Sequence, residues 1–357
     1  MSKKHNFNPG PSILPGEVFE KAAQAVLDYN GTGLSILEIS HRSPEFIEVM
    51  DKTCKLVKDL LHVPDTHRVL FLQGGASTGF IITAYNFMKL GGKGAYTNTG
   101  AWSTKAIKEA NRLGVAEVIA SSEESKFSYI PKNYSIPSEA DYLHITSNNT
   151  IYGTQVTTFP NSPVPLICDM SSDIFSRSLD VSGFGMIYCG AQKNMGPAGT
   201  TMYIVDERLL GKTGRDIPAM LDLKVHISKE SMFNTPPVFA IYTSMLTLEW
   251  LKTNGGVEAI QALNEKKAGL VYEAIDNNPL FKGVVNVEDR SRMNATFVLT
   301  DERLKDSFDD MWKSAGIVGL KGHRSVGGYR ASMYNALPLE SVELLVEVMN
   351  EFGKKHV

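Results

Sequence analysis

The chain has 357 residues, 43% of them hydrophobic and 21% charged, with a formal net charge of −3 at neutral pH. That length suits a large α/β domain with a smaller appendage, and the near-balanced charge gives nucleic acid or an anionic membrane nothing to hold. The opening MSKKHNFNPGPS has no apolar signal core and no stretch reaches membrane-spanning length, while three cysteines (Cys54, Cys168, Cys189) are too few for a disulfide framework, so a reducing cytoplasm is the expected compartment.

In chain order, NFNPGPSILP is rich in turn formers and is expected to run extended across a surface. Residues 16–29 have helical periodicity and end at Asn30-Gly31. The next segment, GTGLSILEISHRSPEF, has no period and carries the dipeptide His41-Arg42; connections this long are often functional. A helix is predicted over 46–61. From 69 to 72 an apolar strand leads into Gln73-Gly74-Gly75-Ala76-Ser77-Thr78-Gly79 and then a helical run, 80–90. Strand, glycine-rich turn and helix together present backbone amides to a phosphate, although neither a dinucleotide fingerprint nor a Walker motif is present.

Alternation continues with a strand at 95–100, a helix over 103–113 opened by Trp102, and strands at 115–121, 141–148 and 163–173. This pattern predicts a mostly parallel sheet covered on both faces, in which ligands sit beyond the carboxyl ends of the strands. Gly75, Trp102, Thr150 and Asp169 all fall at or just past such ends. After a less regular stretch, Pro236-Pro237 start a long apolar helix with Asn234-Thr235 placed as its cap. From 255 onward, helices and short strands, VVNVED among them, read as a smaller α+β unit. The expected division is a large unit of residues 16–254 and a small one of 1–15 with 255–357.

The chemistry centres on GMIYCGAQKNMGPAGT, residues 185–200. A buried strand, 186–189, breaks into a tight turn bearing Lys193, and a second apolar run, 201–205, follows at once. A solvated lysine is the ordinary reading of any one lysine, but small residues on both sides imply that something packs closely against this turn. A partly desolvated lysine has a lowered pKa and can act as an amine nucleophile. Asp169 at the preceding strand end could keep the ring nitrogen of pyridoxal phosphate (PLP) protonated, as that electron sink requires. Trp102 could stack on the ring, the turn of residues 75–77 at a helix N-terminus could hold the phosphate, and Thr150 and Gln192 could contact ring substituents. No metal-ligand pattern stands out.

The segments NFNPGPSILP, SHRSPEF, GGAST, NTGAWS, NNTIYGTQ, CDMSSDIFSR, YCGAQKNMGPAG, FNTPP and GHRSVGGYRASMYNALP resemble, over essentially the whole chain, the phosphoserine aminotransferase family, class V of the fold-type-I PLP enzymes. The resemblance implies an α/β large domain with a mostly parallel sheet of the seven-stranded type, a smaller α+β C-terminal domain, and one PLP per subunit. It places the Schiff-base lysine at Lys193, the pyridinium partner at Asp169 and the stacking indole at Trp102. The phosphate cup falls on Ala76, Ser77 and Gln192, and the ring-hydroxyl contact on Thr150. It further implies a homodimer with active sites at the interface, where Asn234 and Thr235 reach the neighbouring subunit's cofactor phosphate. The implied reaction interconverts 3-phosphohydroxypyruvate plus glutamate with O-phosphoserine plus 2-oxoglutarate in serine biosynthesis, with 4-phosphohydroxy-threonine in pyridoxine biosynthesis as a possible second substrate.

Two anionic substrates require one fork for the α-carboxylate and a second cationic cluster for the distal anion. Arg330 is the candidate for the first, and His41, Arg42, His323 and Arg324 for the second. Rival readings are a serine–glyoxylate aminotransferase, a cysteine desulfurase, and a PLP-binding regulator. The last would need a basic DNA-binding module for which the chain has no spare length.

Overall fold

The computed structural model describes residues 4–356; the first three residues and Val357, which the expected small unit includes, lie outside the described residues. Seven strands form the central sheet, in the spatial order His67–Leu72, Thr201–Asp206, Met186–Gly190, Leu166–Asp169, Leu143–Thr146, Lys93–Asn98, Val115–Ser121. Every pair is parallel except those made by Thr201–Asp206, which runs antiparallel to both neighbours. The inner strands Leu166–Asp169, Met186–Gly190 and Thr201–Asp206 are buried at every position. This is the reason that they read as unbroken apolar runs rather than alternating ones.

Side-chain alternation divides the strand residues between two cores. Val69 and Phe71 join the helices Pro44–Leu61 and Val238–Thr253 on one face, with Cys168, Ile187 and Cys189. Leu70 and Leu72 join the helices Gly75–Phe87 and Ala101–Ala110 on the other, with Ile167, Tyr188 and Tyr203. Each fully buried Ile, Leu or Phe in these layers contributes about 1.5–3 kcal/mol. A third core gathers the antiparallel strands Phe281–Gly283, Asn294–Leu299 and Tyr329–Ser332 with the helices Gly256–Asn277, Lys305–Ser314 and Leu339–His356. Phe7 and Ile13 from the start of the chain pack into it.

Four local expectations change. The segment NFNPGPSILP does not lie over a surface: Phe7, Ile13 and Leu14 are buried, because apolar side chains placed between turn formers are drawn into the core. The helix expected at 80 starts at Gly75, since Gly74 adopts φ +102 and turns the chain directly into it. Asn234 and Thr235 do not cap the following helix, which begins at Val238 with Pro237 as its flanking residue. VVNVED is not a strand; it ends in a 3-10 turn at Val287–Asp289. Among the described residues no helix is long and apolar enough to cross a membrane, and no group of three or more His, Cys, Asp or Glu could hold a metal ion.

Candidate active site

The parallel strands end along one edge of the sheet, in register: Thr146 lies opposite Asp169 and Asp169 opposite Tyr188. Beyond that edge is a cleft of about 340 Å³. Its walls bring together Ala76, Ser77, Trp102, Thr150, Asp169, Gln192, Lys193, His323 and Arg330, drawn from turns more than 250 positions apart in the chain. His41, Arg42, Asn234, Thr235 and Arg324 do not line it. Arg42, Thr235 and Arg324 are exposed, and the Thr235 carbonyl accepts from Gln73 Nε2 at 2.7 Å.

The turn after Met186–Gly190 delivers Lys193 to the cleft floor, with its Nζ 5.1 Å from the centre of the Trp102 ring. The indole itself is oriented by Nε1 donating to Thr150 Oγ1 at 3.1 Å. Burial pushes the Lys193 amine below its ordinary value, Asp169 pulls it back and the Arg330 guanidinium adds to the depression. Burial likewise pushes the Asp169 carboxyl up, against the stabilising pull of Lys193 and Ser171. Burial thus drives the Lys193 amine toward its neutral form, which is what an amine nucleophile needs, while at Asp169 the same drive is opposed by Lys193 and the Ser171 donors, which favour the carboxylate. Asp169 accepts from Ser171 N (2.9 Å) and Ser171 Oγ (2.6 Å), both at Oδ1. Oδ2 is left for a donor on a ligand.

Arg330 is buried, with 6% exposure. Its Nη1 donates to the Thr150 carbonyl at 2.9 Å, while its buried Nε has no partner. A buried guanidinium with an unsatisfied donor is an unfinished anion site. At the opposite wall, no side chain caps the helix Gly75–Phe87, so the amides of its first turn are available to an anion. His323 is held by a 2.7 Å hydrogen bond between Nδ1 and Ser325 Oγ. Burial lowers its pKa, helped by the nearby charges of Arg330, Arg324 and Lys105. The aromatic face, the buried acid, the lysine, the open helix start and the unfinished guanidinium are a donor set that fits PLP together with an anionic substrate.

Sequence reasoning missed the wall made by Pro9 and Gly10. Ser12 N donates to the Gln192 carbonyl at 2.9 Å, and Ser12 Oγ donates to the Lys193 carbonyl. Gly10 lies against the lysine stem at φ +143, where a Cβ would stand 3.2 Å from Lys193 Cγ. The run of Pro and Gly was visible as a turn, but its target 180 positions away was not. Ser171, which orients Asp169, also went unnoticed; its position two residues after a strand-ending acid was the available signal. The three thiols are unsuited to desulfurase chemistry: burial pushes Cys54 up to about 12, and Cys168 and Cys189 upward as well.

The chain belongs to the class-V aminotransferase family, whose model matches residues 4–345. It is similar to phosphoserine aminotransferases in particular. That of Flavobacterium psychrophilum is 61% identical over 354 residues, covering 99% of each chain; that of Bacteroides thetaiotaomicron is 54% identical, covering 99% of this chain and all of the other. Among solved structures, phosphoserine aminotransferase from Bacillus circulans subsp. alkalophilus superposes with a TM-score of 0.96 at 46% identity, covering 99% of both chains. The PLP-bound enzyme from Trichomonas vaginalis gives 0.92 at 35%, covering 98% of this chain and all of that one.

Proposed function

We propose that this chain is a PLP-dependent phosphoserine aminotransferase, interconverting 3-phosphohydroxypyruvate plus glutamate with O-phosphoserine plus 2-oxoglutarate. The observation that carries the reading is Lys193 Nζ set 5.1 Å from the centre of the Trp102 ring in a cleft that also holds buried Asp169 and the unfinished guanidinium of Arg330. When bound, PLP supplies the sink for the electron pair left at substrate Cα once its proton is removed. Lys193 Nζ would take that proton as general base and, once protonated, would serve as the general acid that gives it back, a role for which its lowered pKa suits it. Asp169 would hold the proton on the ring nitrogen, Trp102 would cover the ring face, and Thr150 would contact a ring substituent. Ala76, Ser77 and Gln192 receive the phosphate.

Arg330 takes the α-carboxylate common to all four substrates. Of the two His-Arg pairs only His323 lines this cleft; in this reading Arg42 and Arg324, with His41 and His323 beside them, hold phosphate in one half-reaction and the side-chain carboxylate of glutamate in the other, so a single site serves a ping-pong exchange. In this reading one PLP binds per subunit, the large unit spans 16–254, and residues 1–15 with 255–357 form the small one. Asn234 and Thr235 lie outside their own cleft and serve that of a second copy in a homodimer. The exposed Leu27, Leu34, Leu37 and Ile47, which flank His41-Arg42 in the chain, offer apolar surface for such an interface.

The test supplies the PLP-loaded chain with glutamate and either 3-phosphohydroxypyruvate or glyoxylate. Turnover with the phosphorylated acid alone is expected; preference for glyoxylate overturns the reading in favour of the rival aminotransferase. Arg42→Ala is expected to raise KM for phosphoserine, and an unchanged KM removes Arg42 from the phosphate cluster.

A further inference from the structure

Lys267 is fully buried at 0% exposure, in the middle of the helix Gly256–Asn277. Among the described residues no carboxylate pairs with it. Instead its Nζ donates to three backbone carbonyls, those of Tyr334 (2.9 Å), Leu337 (3.2 Å) and Met333 (3.4 Å). Three acceptors match the three protons of an ammonium, yet burial still pushes this amine down to about 7. An apolar side chain would avoid that desolvation of the amine but would take this donor away from the three carbonyls, so what the lysine contributes is its hold on them. The contact therefore calls for a reason beyond packing.

The three carbonyls belong to one turn, and that turn is tied to the cleft at several points. Asn335 N donates to Asn194 Oδ1 at 2.9 Å, and Asn194, the neighbour of Lys193, donates from Nδ2 to the Ile174 carbonyl at 2.6 Å. Asn335 Nδ2 donates to the Phe175 carbonyl at 2.9 Å, and Asn335 Oδ1 accepts from Asn264 on the same helix as Lys267 at 2.8 Å. Tyr334 Oη donates to the carbonyl of Pro9, in the segment that crosses the lysine stem, at 2.7 Å. The strand Tyr329–Ser332, which carries Arg330, runs directly into the turn.

We propose that Lys267 is a positioning residue: by gathering the carbonyls of Met333, Tyr334 and Leu337 it holds the turn that grips Asn194 and Pro9, and so sets the Lys193 amine and the Arg330 guanidinium relative to each other. The inference deepens the reading of Lys193 and Arg330 given above and rests on it. Lys267 touches neither substrate nor cofactor. Its contribution is geometric, and small displacements at a reacting amine cost much more in rate than in stability.

The test compares Lys267→Met in the full-length, PLP-loaded enzyme with Leu345→Ala, which opens a cavity in the same core without removing a hydrogen bond of the turn. The expected result for Lys267→Met is amide exchange over residues 190–196 faster by about 10-fold or more, a moved pH midpoint of the cofactor's visible band, and kcat reduced by about 10-fold or more. Leu345→Ala should lower Tm and leave all three near wild type. The proposal is overturned if Lys267→Met leaves exchange over 190–196 and the visible band unchanged, or if Leu345→Ala alters them equally. Should Lys267→Met not fold, Lys267→Gln, which leaves a shorter side chain with a single NH2 group for the three carbonyls, decides by the same readouts. If the wild-type chain shows no visible band with PLP, the functional reading has failed, and exchange over 190–196 in the variants still decides the coupling.

Discussion

Replacing Gly79 with alanine tests how the helix facing the phosphate end of the cleft is held in place. Gly79 is buried in the helix Gly75–Phe87, and a Cβ there would stand 2.6 Å from Tyr188 Cδ2 and 2.8 Å from Cε2. Carbon atoms rest in contact at about 3.5–4.0 Å, so helix and ring must separate by roughly 1 Å. The ring cannot give way. Tyr188 is fully buried, its Oη is hydrogen-bonded to His144 Nε2 at 2.8 Å, and its ring meets Phe80 edge-on. The helix therefore shifts, carrying its first-turn amides with it. Overpacking of this kind costs about 1–3 kcal/mol, and alanine's better helix propensity returns about 1 kcal/mol, so strain wins. A displacement near 1 Å at the amides breaks a hydrogen bond to the charged phosphate, worth about 1.5–3 kcal/mol, so PLP binding should weaken by about 10- to 100-fold. The control is Gly269→Ala, exposed in the helix Gly256–Asn277 with nothing within 4 Å of the added Cβ, where propensity alone acts and stability should rise by about 0.5–1 kcal/mol. Absorbance titration of PLP into each apoenzyme, with Tm measured alongside, reads both effects. A Gly79→Ala protein that bound PLP as tightly as wild type and melted higher, as Gly269→Ala should, would refute the argument.

Lys193→Ala should abolish turnover and the visible band formed with PLP without lowering Tm, because the fold already disfavours the charged amine; any retained turnover excludes Lys193 as the proton carrier. Asp169→Asn keeps an oxygen for the Ser171 hydrogen bonds but loses the charge, so kcat should fall by about 10²–10³ with little change in melting, as measured in single-turnover absorbance traces. The pH dependence of PLP loading should follow deprotonation of Lys193, rising with pH to a midpoint below the ordinary 10.5. Asp169 raises that pKa and Arg330 lowers it, so Asp169→Asn should move the midpoint down and Arg330→Gln should move it up; equal shifts in one direction contradict the assignment. Arg330→Lys should raise KM for glutamate and phosphoserine together by about 10- to 100-fold, since an ammonium cannot reproduce the guanidinium fork.

Much of the molecule is determined locally. The buried runs at 166–169, 186–190 and 201–206 are apolar except at their ends because both faces of the sheet are covered, and such runs can be read without knowing their neighbours. The same holds for the tight turn at Lys193 and the acid at Asp169, since strand ends and turns are specified by adjacent residues. What the chain in isolation could not specify is which distant pieces share a wall. That Gly10 lies against Lys193, that Arg330 is buried with Nε unpartnered, and that Lys267 binds a turn some 70 positions away depend on long-range docking. A lysine in a helix reads as a solvated charge until packing removes the water. Asn234 and Thr235 show the same limit: two polar residues ahead of Pro-Pro satisfy the local rule for a helix cap, yet the helix starts at Val238 and the Thr235 carbonyl serves Gln73 instead. Local sequence determined the strands, the turns and the reactive types at their ends. Tertiary structure alone decided how those types are spaced, buried and charged, because desolvation and mutual field exist only once separate segments close around one cleft.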